Sequence, residues 1–578
     1  MLRVIRRRST PDNVELQSES QAHLHPLLRR IYLARGVRAP GELQLGLDQL
    51  IPIRQLGGIS AAVDLLCDHY QRQSTIVVVG DFDADGATST ALVVRQLRRL
   101  GFECVEFIVP NRFQYGYGLT PEIVALAAER DPKLIITVDN GISSLAGVAA
   151  ANALGIQTLI TDHHLPGLTL PDAAVIVNPN NPAELFPSKA LAGVGVSFYL
   201  MAALTKEMQS RGWCADSVPV ADLLDLVALG TVADLVPLDR NNRILVHQGL
   251  RRIRAGRCTA GVRALLESSS RGLSGVIASD LGFQIGPRLN AAGRLDDMTI
   301  GIQCLLTDDL ATARMLAARL AQLNQDRREL ELHMQQEAMA AIEQMRVEDP
   351  SLPLGLCLYD PTWHQGVVGL VASRVKDRVH RPVIALAQAD ERMLKGSARS
   401  VPGVHIRDVL DAIATRNPGL IDKFGGHAMA AGLSLPLAGL EDFRAAFDAE
   451  VQRWLSRDDA IGVVYSDGEL SPKEITLDVA RLLREGGPWG QAFPEPTFDG
   501  AFRVRGVRVL NERHLKLEIC DEEGAPCEAI AFRHFDHDDA PVVQTNDRVE
   551  LAYRLDLNEY NGTQRVQLVV EYLRVMAE

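Results

Sequence analysis

Between about residue 74 and residue 240, short apolar runs alternate with stretches whose apolar positions recur every three or four residues: TIVVVG, ATSTALVVRQLRRLG, CVEFIVP, LTPEIVALAAER, LIITVD, LAGVAAANALG, QTLIT and AVIVN. The runs read as buried strands and the periodic stretches as helices. This βαβ alternation predicts a parallel sheet covered on both faces, with ligands bound beyond the carboxyl ends of its strands. Residues 1–70 show helical patterning, including LHPLLRRIYLARG, and no chemical signature. From Asp309 to Met345, apolar residues keep helical spacing without Pro or Gly, which predicts one helix of about 55 Å serving as a spacer, or else a hairpin broken near Asn324. A second α/β unit follows, with LGLCLY and PVIALAQ as strands. The last stretch holds five alternating runs, from AFRVRGVRVL to QRVQLVVEYLRV, whose lengths suit a small closed barrel of the oligonucleotide-binding type. The chain therefore divides into an N-terminal helical segment (1–70), a parallel-sheet α/β domain (71–260), a connecting region with the long helix (261–350), a smaller α/β domain (351–458) and a terminal β-barrel (459–578).

A chain of 578 residues exceeds one hydrophobic core, and its 47% apolar and 23% charged composition is that of a soluble globular protein. No apolar segment is long enough to span a membrane and MLRVIRRRST is not a secretory leader, so a cytoplasmic protein is expected. The eight cysteines include no CxxC pair, which argues against zinc ribbons and a disulfide framework. A net charge of −13 excludes indiscriminate adhesion to nucleic acid. Charge is uneven, however. Pro361 to Ala430 carries ten Lys or Arg against six Asp or Glu, enough for a local polyanion groove.

Three predicted strands end in metal-ligand chemistry. IVVVGDFDADG presents Asp81, Asp83 and Asp85, LIITVDNG presents Asp139, and TLITDHHLP presents Asp162, His163 and His164. Asp234 follows another apolar stretch and a small-residue turn at Gly230–Thr231. A lone Asp after a strand is commonly a helix cap, and Asp85 before GATSTALVV is such a candidate. Four acidic strand ends in one unit, one with a His pair, point instead to cations. An oxygen-rich set with one imidazole suits Mn2+ or Mg2+ better than zinc or copper. The glutamate of a calcium-binding EF-hand loop is missing. GSARS, with Ser397 and Arg399, suits a terminal phosphate. In FGGHAMAAG, His427 can donate to one, and PNRFQYGYGLT interleaves Arg112 with aromatic residues, as single-strand binders do.

GDFDADGATS, TVDNGIS, TDHHLP and GTVADLVPL resemble the four signature motifs of the DHH phosphoesterases. HQGVVGLVASR, KGSARS and FGGHAMAAG resemble the DHH-associated second domain, and the strands after GPWGQAFPEPTF are similar to the terminal barrel of the family's exonucleases. The resemblance implies a parallel-sheet DHH domain, a DHH-associated substrate-binding domain and an OB-type barrel. It further implies two Mn2+ or Mg2+ ions held by Asp83, Asp85, Asp139, His163 and Asp234. His164, Asp81 and Asp162 become the catalytic set, and Arg112, Tyr117, Arg288, Ser397, Arg399 and His427 the substrate contacts. The implied activity is two-metal hydrolysis of single-stranded DNA from a 5′ end to mononucleotides, in recombination and repair, by a monomer working with a single-strand-binding protein and a RecQ-type helicase. A phosphoesterase acting on short oligonucleotides or cyclic dinucleotides is the alternative, and a non-catalytic replication scaffold of the same fold is a second.

Overall fold

The computed structural model describes residues 3–9, 24–110, 118–214, 218–269, 272–344, 353–426, 428–455, 462–520, 526–536, 540–560 and 563–576. The first element is a strand, β1 (Arg3–Arg7), ahead of helix α1 (Pro26–Ala34), which corrects the expectation of a purely helical segment over 1–70. Its five residues, RVIRR, carry too little apolar alternation to register as a strand. Tertiary ion pairs hold it instead, with Arg7 Nη2 lying 2.6 Å from both Asp499 Oδ2 and Glu469 Oε1.

The first sheet contains β2 (Ile76–Gly80), β3 (Val105–Ile108), β4 (Leu134–Val138), β5 (Gln157–Thr161) and β6 (Val175–Val177), all parallel in the order β3-β2-β4-β5-β6. Every residue of β2 and β4 is buried. Their alternation divides two cores: Ile76 and Val78 face the core that also contains Leu92 and Leu200, and Val77 and Val79 face one built with Ile123 and Val148. The chain runs from β2 to β3 on one side and returns to β4 on the other. This places a topological switch point, where such sheets open a crevice, at the carboxyl ends of β2 and β4.

Five helices matter for that crevice: α2 (Ala84–Arg99), α3 (Gly193–Ser210), α4 (Leu224–Ala233), α5 (Arg240–Arg254) and α6 (Gly286–Leu295). Helix α7 (Leu310–Gln344) then runs 35 residues, about 52 Å, without a break. Asn324, the expected hairpin point, is buried inside it and accepts a hydrogen bond from Arg327 Nη2 at 3.1 Å. The second sheet has the order β10-β11-β9-β8-β7, from β7 (Leu356–Tyr359), β8 (Val383–Gln388), β9 (Met393–Arg399), β10 (Lys423–Gly426) and β11 (Ala430–Pro436), with helix α8 (Val368–Val379) between its first two strands. Strand β12 (Gly462–Ser466) pairs in parallel with β1. The remaining strands, β13 (Phe498–Leu510), β14 (His514–Cys520), β15 (Pro526–Ala531), β16 (Arg548–Tyr560) and β17 (Thr563–Val575), close into a five-stranded barrel. Its register slips between Val504 and Gly506. Arg503 thereby faces Cys520 and Arg508 faces Lys516, so the bulge brings both arginines to one face of β13. Among the described residues, no single helix is long and apolar enough to cross a membrane.

Candidate metal centre and anion pocket

Asp81 and Asp83 leave the end of β2. Asp83 caps α2, its Oδ1 accepting from the amides of Asp85 at 2.9 Å and Gly86 at 3.0 Å. The cap is therefore Asp83, not Asp85, which lies in the first turn of the helix. Asp85 is buried, and its oxygens accept from Gly193 N at 2.6 Å and Val194 N at 2.9 Å, the first amides of α3. Asp139 follows β4 in the left-handed region, φ 62°, a conformation Asp tolerates better than most residues. Asp234 sits at the C-cap of α4, correcting the reading of a strand end after a turn: Gly230 and Thr231 lie within the helix. Helical Gly230 lets α4 approach, because a Cβ there would stand 2.2 Å from Thr88 Oγ1 and 2.8 Å from Asp85 Oδ1. Gly230→Ala is expected to cost about 1–3 kcal/mol by denaturant unfolding, and a loss below about 0.5 kcal/mol would contradict this packing.

The predicted ligands converge. His163 Nε2 lies 3.1 Å from Asp139 Oδ1, 3.5 Å from Asp234 Oδ2 and 4.0 Å from Asp85 Oδ2. Asp81, Asp83 and Asp139 present oxygens within 4.8 Å of one another, as do the ligand atoms of Asp85, His163 and Asp234. The two groups touch through Asp139 and His163, so the donor set is that of two adjacent hard cations.

Electrostatics supports this fit. Burial, followed by the charge of Asp83, pushes Asp85 up to about 7. Burial and then the charges of Asp85, Asp83, Asp234 and Asp81 hold Asp139 far above the ordinary carboxylate range. Asp234 is raised likewise, by burial and then by Asp85 and Asp83. The folded chain thus retains protons that the unfolded chain releases near pH 4, so metal-free stability falls as pH rises from about 4 through about 7. Divalent cations replace those protons. Mg2+ is expected to raise the melting temperature, and to raise it more at about pH 8 than at about pH 5.5; equal increments would contradict the assignment.

Asp162, expected in the catalytic set, turns away from the cluster. Its Oδ2 accepts from Ile142 N at 2.9 Å, and its Oδ1 from His163 N at 2.7 Å and His164 N at 3.0 Å. Oδ1 also lies 2.8 Å from His164 Nδ1, so Asp162 orients the His pair. Burial alone would raise Asp162, but the hydrogen bond and charge of His164 outweigh it and pull the carboxyl below its usual range. Burial works against charge on His164, yet its bond to Asp162 and the neighbouring carboxylates prevail and lift it to about 9. Without cations at the cluster, His164 is thus biased toward its protonated form. Sequence reasoning missed three positioning residues. Asn180 Nδ2 donates to His163 O at 2.6 Å and Asn178 Nδ2 to His164 O at 2.9 Å, and the NPN triplet after β6 was their only signal. On α6, Asn290 Oδ1 accepts from Ala84 N at 2.7 Å.

Ser397 and Arg399 come together at the start of α8. A Cβ on Gly369 would stand 2.9 Å from Arg399 Nη2 and 3.1 Å from Ser397 Oγ, so the helix N-terminus meets both side chains only because that residue is glycine. Arg399 Nη1 donates to Ala398 O at 2.8 Å, and no carboxylate among the described residues lies within ion-pair distance. Burial depresses its pKa. A guanidinium beside a hydroxyl and a helix N-terminus is suited to an anion. Helix α6 ties it to the acidic cluster: a Cβ on Gly293 would reach Phe82 O at 1.8 Å, and Arg294 Nη1 donates to Gly366 O at 3.1 Å. Arg288, on the same helix, donates from Nη1 to Gln284 O. Arg112, Tyr117 and His427 lie outside the described residues.

Family models match three stretches: the DHH family N-terminal domain over 75–231, the DHHA1 domain over 354–453 and the RecJ OB domain over 466–572. The chain is 55% identical to the single-stranded-DNA-specific exonuclease RecJ of Dickeya dadantii and 51% identical to that of Escherichia coli, each over 98% of both chains. It resembles the crystal structure of RecJ from Thermus thermophilus in complex with Mn2+, with TM-score 0.81 and 31% identity over 99% of this chain and 79% of that one. The Mg2+ complex of the same protein gives TM-score 0.74 at 28% identity.

Proposed function

Because the chain belongs to the RecJ family of single-stranded-DNA-specific exonucleases, we propose that it hydrolyses single-stranded DNA from the 5′ end, releasing mononucleotides, with two Mn2+ or Mg2+ ions. Asp81, Asp83 and Asp139 would hold one ion, and His163 and Asp234 the other. Asp85, with both oxygens accepting helix amides, contributes charge behind the second position. When bound, the ions supply Lewis acidity toward the scissile phosphodiester. The side chains do the rest. His164, held cationic by Asp162, neutralises charge developing on a phosphoryl oxygen, and Asn178 and Asn180 keep its loop in place.

The polarity rests on one observation: the Ser397–Arg399 anion site, whose loop α6 holds against the acidic cluster through contacts at residues 290–294. A 5′-terminal phosphate seated there would direct the strand that follows it toward the acidic cluster. A short-oligonucleotide phosphoesterase would need neither the long helix nor the barrel. The same reading includes a monomer that acts in cytoplasmic recombination and repair on strands opened by a RecQ-type helicase and coated by a single-strand-binding protein. Digestion of one DNA strand labelled at either end, with and without Mn2+, tests the activity. Mononucleotides appearing first from the 5′ label support it, and first release of the 3′ label, or cleavage of short oligonucleotides alone, would refute it.

A further inference from the structure

A cavity of about 430 Å³ opens between α1, α5 and the turn from Glu485 to Phe493 ahead of the barrel, and the chemistry described above makes no use of it. Part of its wall is aromatic, with the rings of Tyr32 and Phe493 6.1 Å apart and inclined by 22°. Another part is basic. Arg243, His247 and Arg251 line it, and Glu485 is the one carboxylate among the lining residues.

Arg243 is 5% exposed, with its guanidinium carbon 4.2 Å from the centre of the Phe493 ring. Among the described residues its guanidinium makes one hydrogen bond, a long one from Nη2 to Glu42 O at 3.4 Å, and its buried Nε has no partner. No carboxylate among the described residues lies within ion-pair distance of it. Taking a guanidinium from water and leaving it so poorly paired is unfavourable unless an anion completes the site. Burial, with the charges of Arg251 and Arg254, pushes His247 below its ordinary value, whereas Glu42 and Asp239 oppose only in part the effect of burial on Arg243, which stays below its own.

We infer that this cavity binds a nucleoside monophosphate, its phosphate toward Arg243, His247 and Arg251 and its base against the aromatic wall. A phosphate monoester carries about −1.5 to −2 at neutral pH and answers this excess of cations better than a carboxylate does. The volume lies near the lower end of small-molecule sites, roughly 300–1,000 Å³, and has room for one nucleotide. The chemistry is read from the cavity and stands whether or not the chain cleaves DNA.

Trp489 stacks on Phe493, with centroids 5.2 Å apart and planes 13° apart, and so provides a reporter. The test titrates the full chain in EDTA with dAMP, deoxyadenosine and inorganic phosphate while following tryptophan emission. A saturable change with dAMP is expected, at least about ten-fold tighter than with either fragment. Trp489→Phe should remove the signal, Arg251→Ala should weaken binding about ten-fold or more, and Arg399→Ala should leave it within about two-fold. Absence of a saturable change, a signal that survives Trp489→Phe, binding indifferent to Arg251→Ala or lost in Arg399→Ala, or phosphate binding as tightly as dAMP would each overturn the assignment.

Discussion

Asp139→Asn is expected to abolish exonuclease activity while making the metal-free protein more stable. The side chain belongs to one ligand group and lies 3.1 Å from His163 of the other, in van der Waals reach of Gly193, at a left-handed backbone position that Asn accepts as readily as Asp. The substitution therefore keeps the shape and removes one charge. That charge is buried among Asp85, Asp83, Asp234 and Asp81, each of which disfavours its ionisation. Without cations, its loss relieves repulsion, and a gain of about 1 kcal/mol would appear as about 2–4 °C in melting temperature. With cations the sign reverses, because the centre loses a carboxylate that would hold one of them. Activity should fall on the order of a thousand-fold, about 4 kcal/mol of transition-state stabilisation. Calorimetry with and without Mn2+, beside single-turnover digestion of labelled DNA, reads both effects. A variant that loses activity and also melts lower without metal would point to misfolding, and one that keeps activity would remove Asp139 from the centre.

Arg399→Ala should separate recognition of the strand end from hydrolysis. The guanidinium stands beside Ser397 Oγ and the first turn of α8, with no carboxylate among the described residues in ion-pair distance. Hydrogen bonds to charged groups contribute about 1.5–3 kcal/mol, so kcat/KM on 5′-phosphorylated DNA should fall by about 10–150-fold. The same strand bearing a 5′-hydroxyl lacks the partner and should lose much less. Comparison of the two substrates with wild type and variant forms a double-mutant cycle whose coupling term measures the contact itself. Equal losses on both substrates would mean that Arg399 supports the sheet and does not read the terminal phosphate.

The parallel sheet and its acidic tips were legible for a simple reason. Strands β2 and β4 are buried on both faces, so they appear as uninterrupted apolar runs, and charge at their ends has no structural excuse. Asp234 was legible as a ligand but not as a helix terminus. Helix α4 is buried all round, from Leu224 to Thr231, and without a polar face its sequence lacks the period that distinguishes helix from strand. Asn178, Asn180 and Asn290 were not legible, since each acts on a backbone group distant in sequence and leaves no local pattern. Asp162 was misjudged because its neighbours in sequence face the cluster while its own oxygens face the chain. The cavity at Arg243 was equally hidden, being assembled from three segments that meet only in the folded molecule.

The pairing of β1 with β12 has a consequence for biosynthesis. Arg3 to Arg7 leave the ribosome early, while their partners Gly462 to Ser466, and the acceptors Glu469 and Asp499, follow most of the chain later. At about 5–20 residues per second, the arginine-rich arm waits on the order of a minute without its partner strand. The first sheet can form during that interval, whereas the arm docks only after the second has been translated. Release of the finished polypeptide and closure of this last seam are thus nearly simultaneous.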